Sequence, residues 1–144
     1  MSEYITINEA VLLVTEAMEC RFMPLPRKKI LFMGCRKDGK TIALCTPQSK
    51  MHPQGFYWVD ITQEQHRVMS DADEGVVVFR LEGGILSIVN WHELKQYLTP
   101  ECMRYNANEQ NHWKLNIYKE YIKISGNETR MPSKLYRYDS SNAK

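Results

Sequence analysis

Residues 34–41 read Gly34-Cys35-Arg36-Lys37-Asp38-Gly39-Lys40-Thr41, a full match to the phosphate-loop pattern G-x-x-x-x-G-K-[ST], but the residues immediately downstream argue against that loop. A phosphate loop needs a strand that delivers a glycine-rich turn onto the N-terminus of a helix. The upstream half complies, since Ile30 to Met33 read as a strand. Downstream, Lys40 should open a helix. Instead Thr41-Ile42-Ala43-Leu44-Cys45-Thr46 runs into Pro47, which disfavours helical geometry at the residue before it. Only Pro47 to Gly55 separate this run from the next apolar segment, and a parallel crossover needs about a dozen residues or more.

A β-hairpin accounts for the same letters. Asp-Gly between two apolar runs is a strong reversal signal. With Asp38-Gly39 as a two-residue turn, Cys35 faces Ile42 and Met33 faces Leu44 over a hairpin spanning about 29–46. Leu31, Met33, Cys35, Ile42 and Leu44 then share one face. A second hairpin obeys the same logic at about 76–89. There Gly83-Gly84 separates Val76–Leu81 from Ile85–Val89, and Phe79, Leu81, Leu86 and Ile88 share a face.

Helix signals are equally local. Thr6 with Glu9, Thr62 with Gln65 and Asn90 with Glu93 are capping patterns. They predict helices over about 7–22, 63–69 and 91–98, the first ended by Pro24 and Pro26. Strands are expected near 56–61 and 113–124. In the latter, Trp113, Leu115 and Ile117 alternate with Lys114 and Asn116. Gln48–Gln54 and Tyr105–Asn111 read as loops. The expected fold is a single α+β domain over 1–126 with a mostly antiparallel sheet. A polar tail over 127–144 is expected to drape on the body through Leu135, Tyr136 and Tyr138.

At 144 residues the chain is long enough for one proper core. No apolar run reaches the roughly 18 residues of a membrane span. No basic-then-apolar leader opens the chain, so a cytoplasmic, non-membrane protein is expected. The four cysteines form no C-x-x-C pair, and no disulfide is expected. Cys20, Cys35 and Cys45 read as small core residues. His92, Cys102 and His112 lack the short ligand pair that a compact zinc site prefers, and His66 reads as a helix-surface residue.

The net charge of +2 is distributed in blocks. Residues 27–50 carry seven basic side chains against Asp38, whereas 51–93 carry seven acidic side chains against Arg67 and Arg80. Basic blocks favour contact with phosphates. Aromatic residues accumulate beside lysines in the segment His112–Lys123, the composition that stacked bases require.

The element order over 7–98 is loosely similar to that of restriction-endonuclease-like nucleases, including bacterial Holliday-junction resolvases. That resemblance implies carboxylates holding magnesium beside a scissile phosphate. The matching strand, Ile42–Thr46, carries no acid, which leaves Asp38, Lys40 and Asp60 as the residues available for such chemistry.

The expectation is therefore a non-catalytic binding module without metal or cofactor, a compact accessory protein of bacterial or phage type. Its partner is a macromolecule, protein or nucleic acid. The expected contacts are Arg27, Lys28, Lys29, Lys37, Lys40, Lys114, Lys119 and Lys123. The alternatives are a metal-dependent nuclease or phosphodiesterase using Asp38, Lys40 and Asp60, and a nucleotide-binding protein using residues 34–41.

Overall fold

Two sheets share one strand, and a buried arginine holds the place where they meet. The computed structural model describes residues 3–108 and 110–138. The strands are β1 (Phe22–Pro24), β2 (Leu31–Cys35), β3 (Thr41–Cys45), β4 (Gln48–Met51), β5 (Tyr57–Thr62), β6 (Glu74–Leu81), β7 (Ile85–Asn90), β8 (Arg104–Asn106), β9 (Gln110–Ile117), β10 (Tyr121–Ile124), β11 (Arg130–Pro132) and β12 (Tyr136–Arg137). The α-helices are α1 (Ile7–Met18), α2 (Gln63–Asp71) and α3 (Trp91–Lys95), with a 3₁₀ turn at Pro100–Cys102. The fold is α+β, and all pairings except β3–β6 and β4–β6 are antiparallel.

β6 organises the molecule. Its first half pairs with β3 and its second half with β4, so the chain from Thr41 to Met51 runs along one flank of β6 with a break at Thr46-Pro47. β4 then leaves for a second sheet by pairing with β5. The break would leave carbonyls without ladder partners in the interior, a costly state. Arg80, only 6% exposed, resolves it. Its Nε donates to Thr46 O at 2.9 Å and its Nη1 to Ile5 O at 3.1 Å and to Gln48 Oε1 at 3.4 Å. Its backbone N–H donates to Pro47 O at 2.8 Å. Burial draws the Arg80 pKa below its ordinary value.

The main core lies between the inward faces of both sheets and the pair α2–α3. It includes Phe79, Leu81, Trp91, Leu94, Trp113, Leu115 and Ile122. α1 covers the opposite face of the first sheet, where Ala10 and Val14 pack with Phe32, Leu44, Val78 and Leu86.

Several expectations need correction. Both hairpins exist, but each is slipped by one residue. Gly34 pairs with Ile42 and Phe32 with Leu44, while Arg80 pairs with Leu86 and Phe79 with Ser87. The loops hold three residues each. In the first, Gly39 N–H closes a turn onto Arg36 O while Gly39 itself sits at φ +88°. That is a turn followed by a bulge, not a two-residue reversal. A one-residue slip exchanges every side chain between faces. Leu31, Met33 and Cys45 therefore join the main core, while Phe32 and Leu44 lie beneath α1. In the second hairpin, Phe79 and Leu81 join the main core and Leu86 faces α1.

The first helix stops at Met18, four residues early, because Glu19 turns into the left-handed region at φ 50°. Phe22–Pro24 then forms an edge strand, a position that tolerates proline. The two segments read as loops contain β4 and the β8–β9 hairpin. The segment after Gly126 is built into the sheets, since β11 pairs with β10 and β12 with β7. Leu135 and Tyr138 pack on the body as expected, Tyr136 instead stays exposed, and the part of the expected tail beyond residue 138 lies outside the described residues. Near the same place Glu3 O accepts from Gly83 N and Gly84 N, and Tyr138 N donates to Gly84 O. All four cysteines are free. Cys35 is exposed at the end of β2, unlike buried Cys45, whose thiol burial pushes up to about 12.

Both glycines of the phosphate-loop match have structural explanations. A Cβ on Gly34 would collide with the Cys20 sulfur and stand 2.6 Å from Arg21 O, so β1 approaches β2 only over a glycine. Gly39 supplies the positive φ of the turn. The chain continues from Lys40 into β3, and the next helix starts at Gln63.

Two substitutions probe these constraints. Arg80→Met should lower unfolding free energy by about 2–6 kcal/mol, because it orphans Thr46 O and Ile5 O at about 1–3 kcal/mol each. Urea denaturation would show this as a lower midpoint at constant slope. Gly34→Ala should cost about 1–3 kcal/mol through overpacking against Cys20 and Arg21. A melt matching wild type would contradict the close approach.

Candidate functional site

The outward face of the second sheet is the strongest candidate. Strand alternation decides what it carries. Tyr57, Ile61, Trp113, Leu115, Ile117, Ile122 and Ile124 point into the core, so their neighbours point out. Register then places those neighbours in rows across β4, β5, β9, β10 and β11. Lys50 pairs with Trp58, Trp58 with Asn116, Asn116 with Lys123, and Lys123 with Arg130. The adjoining row on one side holds His52, Phe56, Tyr118 and Tyr121. On the other side Asp60 pairs with Lys114. Lys50, Lys114, Lys123 and Arg130 thus share a face with one carboxylate, Asp60, which contacts Lys114 Nζ at 3.6 Å.

The aromatic row is continuous. His52 stacks on Phe56 with centroids 4.6 Å apart and planes 7° apart, and it meets Trp58 edge-on at 5.5 Å. Phe56 lies 5.4 Å from Tyr118, and Tyr118 stacks on Tyr121 at 4.6 Å. The Arg130 guanidinium sits 4.4 Å over the Tyr121 ring. Most of these rings are half-buried against each other. Trp58 is different: 49% of it is exposed. Its place is fixed from behind, where the Ser49 hydroxyl donates to Trp58 O across the β4–β5 pair. Trp58, Lys50 and Asp60 line a shallow depression of about 470 Å³ together with Ile30, Gln48 and Gln65.

A second depression of about 740 Å³ adjoins it and shares Ile30 and Gln65. One wall is Arg27, Lys28 and Lys29, and the other is the start of α2 with Asn111. Glu64 is clamped there. Its carboxylate takes both donors of Arg67 at 2.9 Å and contacts Lys28 Nζ at 3.3 Å. These contacts, Arg67 before Lys28, pull the Glu64 pKa down to about 2. His66 is packed rather than free on the helix surface, with its ring 4.9 Å from Trp113 and 5.3 Å from Trp91. Burial first, and Lys95 second, lower its pKa.

The structure divides the residues expected to bind a partner. Lys114 and Lys123 lie on the aromatic face, Lys119 lies in the exposed β9–β10 turn, and Arg27, Lys28 and Lys29 border the adjoining cleft. Lys37 and Lys40 stand apart, at the tip of the β2–β3 hairpin. The length of β3 separates that tip from Thr46, roughly 17 Å. Arg36 there bridges Asp38 and Glu74, each at 2.8 Å, and Lys40 Nζ is 4.0 Å from Glu74. The Arg36 contact, followed by the Lys40 backbone N–H, lowers the Asp38 pKa.

The nuclease alternative needs Asp38, Lys40 and Asp60 together, and they are not. Asp38 and Lys40 sit at this hairpin tip, while Asp60 is on β5 beside Lys114. Among the described residues no group of three His, Cys, Asp or Glu side chains is placed to hold a metal ion. His92 contacts Asp73 O, Cys102 accepts from Thr99 Oγ1, and His112 contacts Gln110 O. Nor do Gly34–Thr41 form a phosphate cradle, because they open into β3. Among the described residues no helix is long and apolar enough to cross a membrane.

Sequence reasoning missed Lys50, His52, Phe56, Trp58 and Arg130 as parts of one surface. Alternation in Phe56–Ile61 carried part of the signal, but not which strand lies beside it. No protein-family model, curated protein or solved structure matches the chain.

The Glu64 clamp gives a pH prediction. Its folded pKa is depressed, so its contribution is complete above the ordinary carboxylate value of 4.5 and fades as pH falls towards about 2. Carbon-detected NMR of the Glu64 carboxyl should place its midpoint near 2, and Arg67→Gln should raise it. The solvent exposure of the pair predicts that added salt narrows the difference.

Proposed function

We propose that the protein is a non-catalytic binding module whose partner is a single-stranded nucleic acid, held across the outward face of β4, β5, β9, β10 and β11. The observation that carries this is the exposed Trp58 ring within a sheet face whose charged side chains are Lys50, Lys114, Lys123 and Arg130 against Asp60. Bases stack on exposed aromatic faces with little regard to sequence, while a cationic groove tracks the phosphates. The two requirements coincide here at strand spacing, about 4.8 Å from one column of side chains to the next.

A protein partner fits less well. An exposed protein-binding patch gains most from apolar anchors with few charges at its centre. Here the centre is flanked by Lys50 and Lys114 and shares its row with Lys123 and Arg130. A duplex also fits less well, because its bases are already stacked and leave Trp58 no ring to receive.

Fluorescence anisotropy with labelled single-stranded and duplex oligonucleotides tests the proposal. Single strands should bind in preference to duplex. Trp58→Ala should weaken binding by about 1–3 kcal/mol, the usual value for one stacked base. Lys50→Gln combined with Lys123→Gln should reduce the slope of log affinity against log salt by roughly 1.4. Single-strand binding unchanged by Trp58→Ala would refute the assignment of this face.

A further inference from the structure

The cleft beside the aromatic face has no role in the function proposed above, yet it continues the same surface. Its two walls differ in how they are built. The Arg27–Lys29 wall is a tight turn, with Lys28 N donating to Leu25 O at 3.1 Å and Arg27 held at φ 62°. A non-glycine residue in that region is strained, and such strain concentrates where a segment is shaped for contact. The turn exposes Arg27 and Lys29 while Lys28 reaches across to Glu64. On the opposite wall the Asn111 amide donates to Gln63 Oε1 at 3.0 Å. Both amides line the cleft, and such side chains can donate and accept hydrogen bonds to a base edge. The cleft carries four cations, Arg27, Lys28, Lys29 and Arg67, against Glu64.

We infer that this cleft is a second subsite for the same strand: nucleotides leaving Trp58 pass Ile30 and Gln65 and place their phosphates against Arg27 and Lys29. The inference rests on the single-strand assignment of the aromatic face. What carries it further is continuity, because both depressions are lined by Ile30 and Gln65. From Trp58 to Thr62 at the cleft edge is four residues of β5, roughly 13 Å, so a dinucleotide seated on Trp58 stops before the cleft. The chemical class of ligand is therefore a phosphodiester strand, not a free nucleotide.

The test is a length series of labelled oligothymidylates, from about 2 to about 16 nucleotides, titrated by anisotropy at several salt concentrations. The proteins compared are wild type, Trp58→Ala, and Arg27→Gln with Lys29→Gln. The last pair leaves the Lys28–Glu64 contact in place and alters only exposed side chains, and its circular dichroism melt should match wild type. For the longest oligomer the double variant should lose roughly 1.4 from the salt slope, two phosphate contacts, while the shortest oligomer binds it as well as wild type. Trp58→Ala should weaken both lengths. Equal slopes for wild type and double variant at every length would overturn the second subsite and leave the aromatic face standing. Equal loss at the shortest and longest lengths would also overturn it, by placing Arg27 and Lys29 within the first subsite. Failure of wild type to bind any oligomer would overturn both.

Discussion

The hydrogen bonds of Arg80 set the condition under which the two sheets can share a strand. β4 can join both sheets only where the flank of β6 passes from β3 to β4, and there the ladder breaks at Thr46-Pro47 in the interior. Proline has no N–H to lose at such a point. The carbonyls still need donors, and one planar guanidinium with several N–H groups reaches Thr46, Ile5 and Gln48 at once. This is a buried charge surrounded by carbonyl oxygens, each contributing part of the solvation that water would have given. The arrangement ties together the lead into α1, the end of β6 and the start of β4. Lys50 reaches the row beside Trp58 because β4 leaves β6 after Ser49 and pairs with β5.

Stacking within the aromatic row has a further effect on the proposed site. His52, Phe56, Tyr118 and Tyr121 hold each other in place before anything binds. Side chains already ordered lose little rotamer freedom on association, so more of the contact energy remains as affinity. The row supports Trp58 at its edge through His52, whose Nδ1 in turn accepts from Gln54 N at 3.1 Å. The cations are less constrained. Lys50 and Lys123 extend from strands and can adapt to a backbone of variable path, whereas Lys114 is drawn to Asp60.

What could be read from the chain divides by the range of the interaction. All three helix starts were legible, because each cap lies within three residues of its partner. Thr6 and Glu9 bond reciprocally, as do Thr62 and Gln65, and the Asn90 side chain accepts from Glu93 N. The existence of both hairpins was legible for the same reason. Their register was not, because Asp38-Gly39 satisfies a two-residue reversal and a bulged three-residue loop equally well at the level of letters. The outcome depends on which face each strand must bury. Phe32 and Leu44 are drawn beneath α1, a helix outside the hairpin. The site was legible in part. Lys114 and Lys123 could be placed facing solvent by alternation alone, but the pairing of β5 with β9, from Tyr57↔Ile117 to Thr62↔His112, joins residues far apart in the chain. β11 and β12 gave no signal, being three and two residues long, too short for any periodicity to show.

Glu3 and Tyr138 meet at the Gly83–Gly84 turn, one through its carbonyl and the other through its amide. The first and last described segments are thus moored to the same few atoms. A load carried into Glu3 or Tyr138 would thus bear on the same turn between β6 and β7, so each segment helps to hold the place where the other is anchored.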